Sequence, residues 1–180
     1  MMTSSKKQTY SIDSSHTAVE FVVRHMMIAK VRGRFTAVVG TIVVPDGSNV
    51  PEAVEATIET ASIDTHEDQR DQHLRSGDFL DAEKFGQLNF RSTGFEGSGD
   101  AFSMRGDLTI RGVTREVVFH VTFEGRVTDP WGNSRIGYEA HATISRKDFG
   151  VTWNQALETG GVLIGDDIRI EITAEAVAQG

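Results

Sequence analysis

Apolar and polar residues alternate along most of this chain, and the alternation has period two, the signature of half-buried strands. From Ala18 onward, Val19, Phe21, Val23 and His25 fall on one side and Glu20, Val22 and Arg24 on the other. Gly33-Arg34-Phe35 opens a long run to Val44, in which Val38, Gly40, Ile42 and Val44 oppose Val39, Thr41 and Val43. The glycine inside that run predicts a strongly bent strand. Tyr10 to Asp13, Val54 to Ile63, Leu88 to Ser92, Phe102 to Ile110 and Val117 to Phe123 read as further strands. Ile136, Tyr138, Ala140, Ala142 and Ile144 share one face, and Ile168, Ile170, Ile172 and Ala174 mark a last strand. Turn formers separate these runs: Pro45-Asp46-Gly47-Ser48, Glu96-Gly97-Ser98-Gly99-Asp100, Arg111-Gly112, and a loop from Val127 to Asn133. Met26 to Ala29 breaks the period and is expected to form a helical turn or a bulged corner.

One stretch, Thr65 to Phe85, does not alternate. Thr65 followed by Asp68 resembles a capping box with aspartate for glutamate. The polar segment Glu67 to Leu74 then reads as a helix that stops near Gly77, with a short second turn at Asp81 to Lys84. Its narrow apolar stripe predicts a lid or crossover. About eight strands with one or two short helices is the pattern of an all-β, single antiparallel up-and-down barrel. Residues 1–9 are expected to be loosely ordered and residues 10–180 to form the barrel.

Composition narrows the chemistry. A formal net charge of -8 argues against a nucleic-acid partner and against electrostatic docking to an anionic membrane. The chain has no cysteine, which removes disulfides, thiolate catalysis and sulfur-ligated metals together. No apolar run approaches the roughly 18 residues needed to span a bilayer, and no signal-peptide pattern is visible, so the expected compartment is the cytoplasm. Eighteen glycines against three prolines suit a β fold with many tight turns.

The order and wording of several blocks resemble the YceI family. They are Asp13, His16-Thr17, Phe21 and His25; then Val31-Arg32-Gly33-Arg34-Phe35; then Ala61-Ser62-Ile63-Asp64-Thr65. Arg70-Asp71-Gln72-His73-Leu74, Asp78-Phe79 and Phe90-Arg91-Ser92-Thr93 follow, then Gly106 to Arg115 and Arg146-Lys147-Asp148-Phe149-Gly150. Two departures are small, Thr17 in place of the usual serine and Gly86 in place of the usual proline, and the lack of a visible signal peptide is a larger departure from the family's periplasmic members. The resemblance implies a lipocalin-like barrel that binds and sequesters or transports a polyisoprenoid or prenyl quinone. It implies no cofactor and no catalytic step. It also implies possible homodimerisation, for which Trp131 and Trp153 are candidate contacts.

Candidate wall residues are Val19, Phe21, Val23, Phe35, Leu88, Phe90, Met104, Leu108, Phe119, Val121, Tyr138, Ile144 and Phe149, with Phe79 after the helix. Candidate mouth residues, which would orient a head group, are His25, Arg70, His73 and Asp71. Burying a methylene is worth ~0.8 kcal/mol, so each five-carbon isoprene unit contributes on the order of 3 kcal/mol before entropy losses. A fatty acid or fatty amide is an alternative cargo. A rival reading is a histidine-metal enzyme, for which His16 with His25, or His120 with His141, are the pairs to consider. No histidine spacing carries a metal mechanism, and no nucleophile elbow, phosphate loop or dinucleotide fingerprint is present.

Overall fold

A computed structural model describes residues 6–180. The strands are β1 (Lys7–Ile12), β2 (Ala18–His25), β3 (Ala29–Phe35), β4 (Val38–Pro45), β5 (Ala53–Glu59) and β6 (Ile63–Asp64), then β7 (Gln87–Glu96), β8 (Ala101–Ile110), β9 (Val113–Thr128), β10 (Ser134–Ser145) and β11 (Ile164–Ala178). One helix, α1 (Asp68–Arg75), interrupts them between β6 and β7. All pairings are antiparallel, in the order β1-β4-β5-β7-β8-β9-β10-β11, and β11 returns to β1 to close an eight-stranded barrel. The three extra strands are continuations: β2 runs on from β1, β3 leads into β4, and β6 follows β5.

The breaks have local causes. Val54 to Ile63, expected as one strand, is split by a 3-10 turn at Thr60–Ser62, where Arg75 donates to the carbonyls of Ala61 and Ile63. Between β1 and β2, Asp13 caps a second 3-10 turn by accepting from the Ser15 amide. Lys7 to Thr9, expected to be loose, pair instead with Pro45 to Val43 of β4; residues 1–5 of that segment lie outside the described residues. The loop expected from Val127 begins only at Asp129, because Val127 and Thr128 still pair with Arg135 and Ser134. Asp129 then accepts from the amides of Trp131 and Asn133 and turns the chain.

Two hairpin turns use positive φ at both central residues. Arg111 and Gly112 do so between β8 and β9, the turn that matches the twist of flanking strands. Met26 (φ 52°) and Met27 (φ 63°) do so between β2 and β3, where neither residue is glycine. This tight turn replaces the expected helical turn or bulge. Left-handed backbone costs a non-glycine residue roughly 1–2 kcal/mol.

The two ends of the barrel differ. At one end Arg135 of β10 gathers three carboxylates: Asp129 at 2.8 Å, Asp13 at 2.9 Å and Glu175 of β11 at 3.3 Å. Asp129 is 5% exposed, and the Arg135 guanidinium, followed by the Asn133 amide, pulls its carboxyl down to about 2. Hydrogen bonds from Ser15, His16 and Arg135 hold Asp13 well below the ordinary carboxylate range. This cluster ties the β1–β2 corner, the β9–β10 turn and β11 together where the sheet closes.

Both carboxyls give up protons more readily folded than unfolded. Their stabilisation is therefore complete above the unfolded value of 3.8 and is lost as pH falls towards about 2. Arg135→Gln is expected to move the acid-unfolding transition to higher pH. Far-UV circular dichroism against pH checks this, and an unmoved transition would show that the cluster does not hold the closure.

Candidate functional site

Alternation along each closed-barrel strand sends every second side chain inward. On β8, Phe102, Met104, Leu108 and Ile110 face the interior; on β11, Ile168, Ile170, Ile172 and Ala174 do. They enclose a cavity of about 390 Å³, within the range of small-molecule sites. Each expected wall residue lies on its lining, as do the mouth residues His25, Arg70 and His73. The linings from Phe102, Ile168, Ile170 and Ile172 were legible from strand parity as well, since they alternate in step with Met104 and with one another.

Two glycines shape this wall by close approach. Gly33 of β3 is paired with Phe21, and a β-carbon there would fall on the Phe21 ring. Gly106 of β8 lies under the Phe90 ring in the same way. An aromatic ring laid across a bare glycine fills the missing side chain's space and fixes the ring's direction. Phe21 thereby meets Phe35 at 5.7 Å, and Phe90 meets Phe119 edge-on at 5.3 Å. The remaining volume stays open.

The floor is closed by Tyr138, whose hydroxyl donates to the Asn49 carbonyl at 2.7 Å. Burial holds this phenol above its ordinary value, so it remains a protonated donor. At the opposite end α1 forms a lid. Glu67, not Thr65, caps it, accepting from the Gln69 and Arg70 amides, so the expected capping box is absent. Thr65 instead anchors the lid to β6: its amide and hydroxyl donate to Asp71, and it accepts from Arg70 Nε and Nη2, both at 2.7 Å. Asp71 is buried in this anchor and does not line the cavity, which corrects its assignment to the mouth. Arg70 does both, lining the cavity while Nε and Nη2 hold Thr65.

His73 faces the same opening. Its Nε2 lies 2.8 Å from Asp78, and its ring is edge-on to Phe79 at 4.9 Å and to Trp153 at 4.7 Å. Trp153 is thus part of the lid, not an exposed subunit contact; Trp131 alone of the two is exposed, at 80%. Arg111, from the β8–β9 turn, donates to the carbonyls of Gly77 and Phe79 and pins the lid's other side.

Periodicity did not single out Arg146. Its buried guanidinium donates to the carbonyls of Gly165, Val151 and Trp153 at 2.8–2.9 Å, and so holds the irregular segment that carries Val151 and Trp153 over the cavity. Burial, against the nearby Asp166, pulls its pKa below the ordinary value. The only prior signal was its place at the head of the Arg146–Gly150 block.

The two histidine pairs are placed differently. His16 and His25 stand at opposite ends of β2, and His16 is held by Asp13. His120 and His141 are cross-strand neighbours, 5.2 Å between rings, on the outer wall. Among the described residues, no three His, Asp or Glu side chains are grouped to hold an ion.

Gly106→Val would drive the Phe90 ring into the cavity. The expected result is a loss of about 1–3 kcal/mol by urea unfolding, with weakened uptake of an apolar fluorescent dye. Unchanged dye uptake in a folded variant would show that this wall can move outward.

Related proteins share this architecture. Residues 10–176 match the YceI-like domain. A UPF0312 protein of Staphylococcus aureus is 39% identical over 171 residues, covering 92% of this chain and 95% of its own. The Campylobacter jejuni YceI protein superposes with a TM-score of 0.75 at 28% identity, covering 87% of this chain and 90% of that one. A polyisoprenoid binding domain from Saccharophagus degradans, implicated in plant cell wall breakdown, superposes with a TM-score of 0.72 at 14% identity, covering 94% and 98%.

Proposed function

Since this chain belongs to the YceI-like domain family, we propose that it binds and sequesters or carries a long isoprenoid-type lipid, a polyisoprenoid or a prenyl quinone, inside the barrel. The observation that carries this reading is the cavity itself: apolar from Tyr138 at the floor upward, with Arg70 and His73 grouped at the lid. Such a site takes a chain tail-first and leaves the polar head beside α1. The name of the Saccharophagus domain supports an isoprenoid over other amphiphiles, and a branched chain makes good use of a wall built from Phe, Ile and Val.

Affinity then comes from burial. With each isoprene unit contributing on the order of 3 kcal/mol and each 1.4 kcal/mol worth tenfold, a few units reach tight binding without a polar contact. Arg70 and His73 add orientation. Arg70 lines the cavity, and its Nη1, which has no hydrogen bond among the described residues, is the donor we assign to a quinone carbonyl or a phosphate. A fatty acid would fit the same polarity. Neither cargo asks the protein for a catalytic step.

Native mass spectrometry of freshly purified protein, followed by organic extraction, tests the assignment. One bound mass per chain that fragments as an isoprene series is the expected result. An empty protein that takes up no added prenyl quinone would overturn it, and a straight-chain acid would redirect it. Phe119→Asp, which places a carboxylate in the wall, is expected to weaken binding at least a hundredfold in a folded variant.

A further inference from the structure

The barrel wall is unequal in height. β3 pairs with β6 only at Arg34 and Phe35, so Ala29 to Gly33 form an edge and the β2–β3 hairpin stands beside the lid. Its tip is apolar and open to solvent: Met26 is 43% exposed, Met27 59% and Ile28 86%. These side chains sit on the strained turn described above, and strain of that kind in a non-glycine pair persists where the surroundings or a function demand it.

The tip is continuous with the cavity. His25 and Leu163 both line the cavity, and the Met26 amide donates to the Leu163 carbonyl at 2.7 Å. The Met27 sulfur packs on Gly161, and neighbouring Val162 is exposed. The hairpin tip is therefore joined to the cavity lining through Leu163 and Gly161, beside a loop whose exposed residues also include Glu158 and Thr159.

Along the hairpin itself the charge reverses, although Glu158, Asp166 and Asp167 lie on the neighbouring loop and β11. Between Val22 and Arg34 the chain has Arg24, Lys30, Arg32 and Arg34 and no carboxylate, although the whole protein carries -8. All four are exposed. Arg32 and Arg34 each have a carboxylate only at 3.7 Å, and Arg24 and Lys30 have none within ion-pair distance among the described residues. Across the hairpin, Arg24 and Lys30 are direct partners, so two like charges flank the apolar tip.

We propose that this hairpin tip docks on an anionic phospholipid surface, with Met26, Met27 and Ile28 entering the interface and the basic residues meeting the headgroups. Apolar side chains ringed by Lys and Arg are the chemistry of interfacial membrane binding. Methionine suits the role because its flexible, polarizable chain adapts to an irregular partner. The whole-chain charge, which argues against membrane docking, acts here to orient the molecule with this end down. The proposal rests on the carrier reading for its purpose, which is to set the cavity mouth against the bilayer that supplies or receives the lipid.

Co-sedimentation with cargo-free vesicles separates the two. The intact protein is expected to bind vesicles of equal phosphatidylcholine and phosphatidylglycerol at least tenfold more tightly than phosphatidylcholine alone, and to release them in high salt. Met27→Asp with Ile28→Asp should lose binding at least tenfold, and Lys30→Glu with Arg32→Glu should lose the anionic preference. Met26→Asn with Met27→Gly restores a relaxed turn, so it should fold at least as stably and still lose vesicle binding. Full binding by these variants, or none by the intact protein, would overturn the docking surface. So would a solution mass of two chains that falls to one in the Ile28→Asp protein, which would make the patch a subunit contact. Uptake of a short soluble prenyl quinone is measured in parallel. Its absence in the intact protein, with vesicle binding retained, would sink the carrier reading and leave the docking surface standing.

Discussion

Closure of the sheet by β1 against β11 is the constraint on which everything else depends. Three residue pairs, Tyr10 with Ala178, Ser11 with Val177 and Ile12 with Ala176, join the first strand to the last. Without them, and without the pairs that β2 goes on to make along β11 from Ala18–Thr173 to His25–Ile164, the sheet would have two long edges offering unpaired amides and carbonyls to other chains, and its apolar face would be open to water. With them every inward side chain shares one interior. The contact is short, and the Arg135 cluster lies beside it, converting a brief backbone pairing into one locked by three carboxylates.

A closed eight-stranded barrel has an interior that side chains can either fill or leave open. This one keeps an open cavity, and two of its large rings, Phe21 and Phe90, take up space over bare backbone. Gly33 and Gly106 provide that space, which gives the glycines of the Val31–Phe35 and Gly106–Arg115 blocks a physical role. The same economy applies to polar groups. Arg146 and Asp71 are buried but spend their hydrogen bonds on holding the roof and the lid.

The molecule is therefore polarised from end to end. The floor is shut by Tyr138 and ion pairs, and the other end collects the helix, the aromatic group of His73, Phe79 and Trp153, and the basic hairpin with its apolar tip. A cargo with a long tail and a polar head matches that polarity. So does a membrane surface approached from one direction.

Much of this was legible in the amino-acid sequence. Period-two alternation determines which side chains can share a face, so the wall from Val19 to Phe149 was readable strand by strand, and the helix was marked by the loss of that period. Other features were not readable, because they depend on contacts between distant segments. Asp71 was indistinguishable from Arg70 as a mouth residue until Thr65 was seen beside it, and Trp153 read as a surface residue because an irregular loop has no period to place it. The two-methionine turn reads in the sequence as a helical turn or a bulged corner, since positive φ without glycine has no local signal. Local order thus determined the strands and their faces. Closure, the lid's anchor and the mouth's position were decided only by tertiary structure, because hydrogen bonds and ion pairs between residues up to 171 positions apart select them.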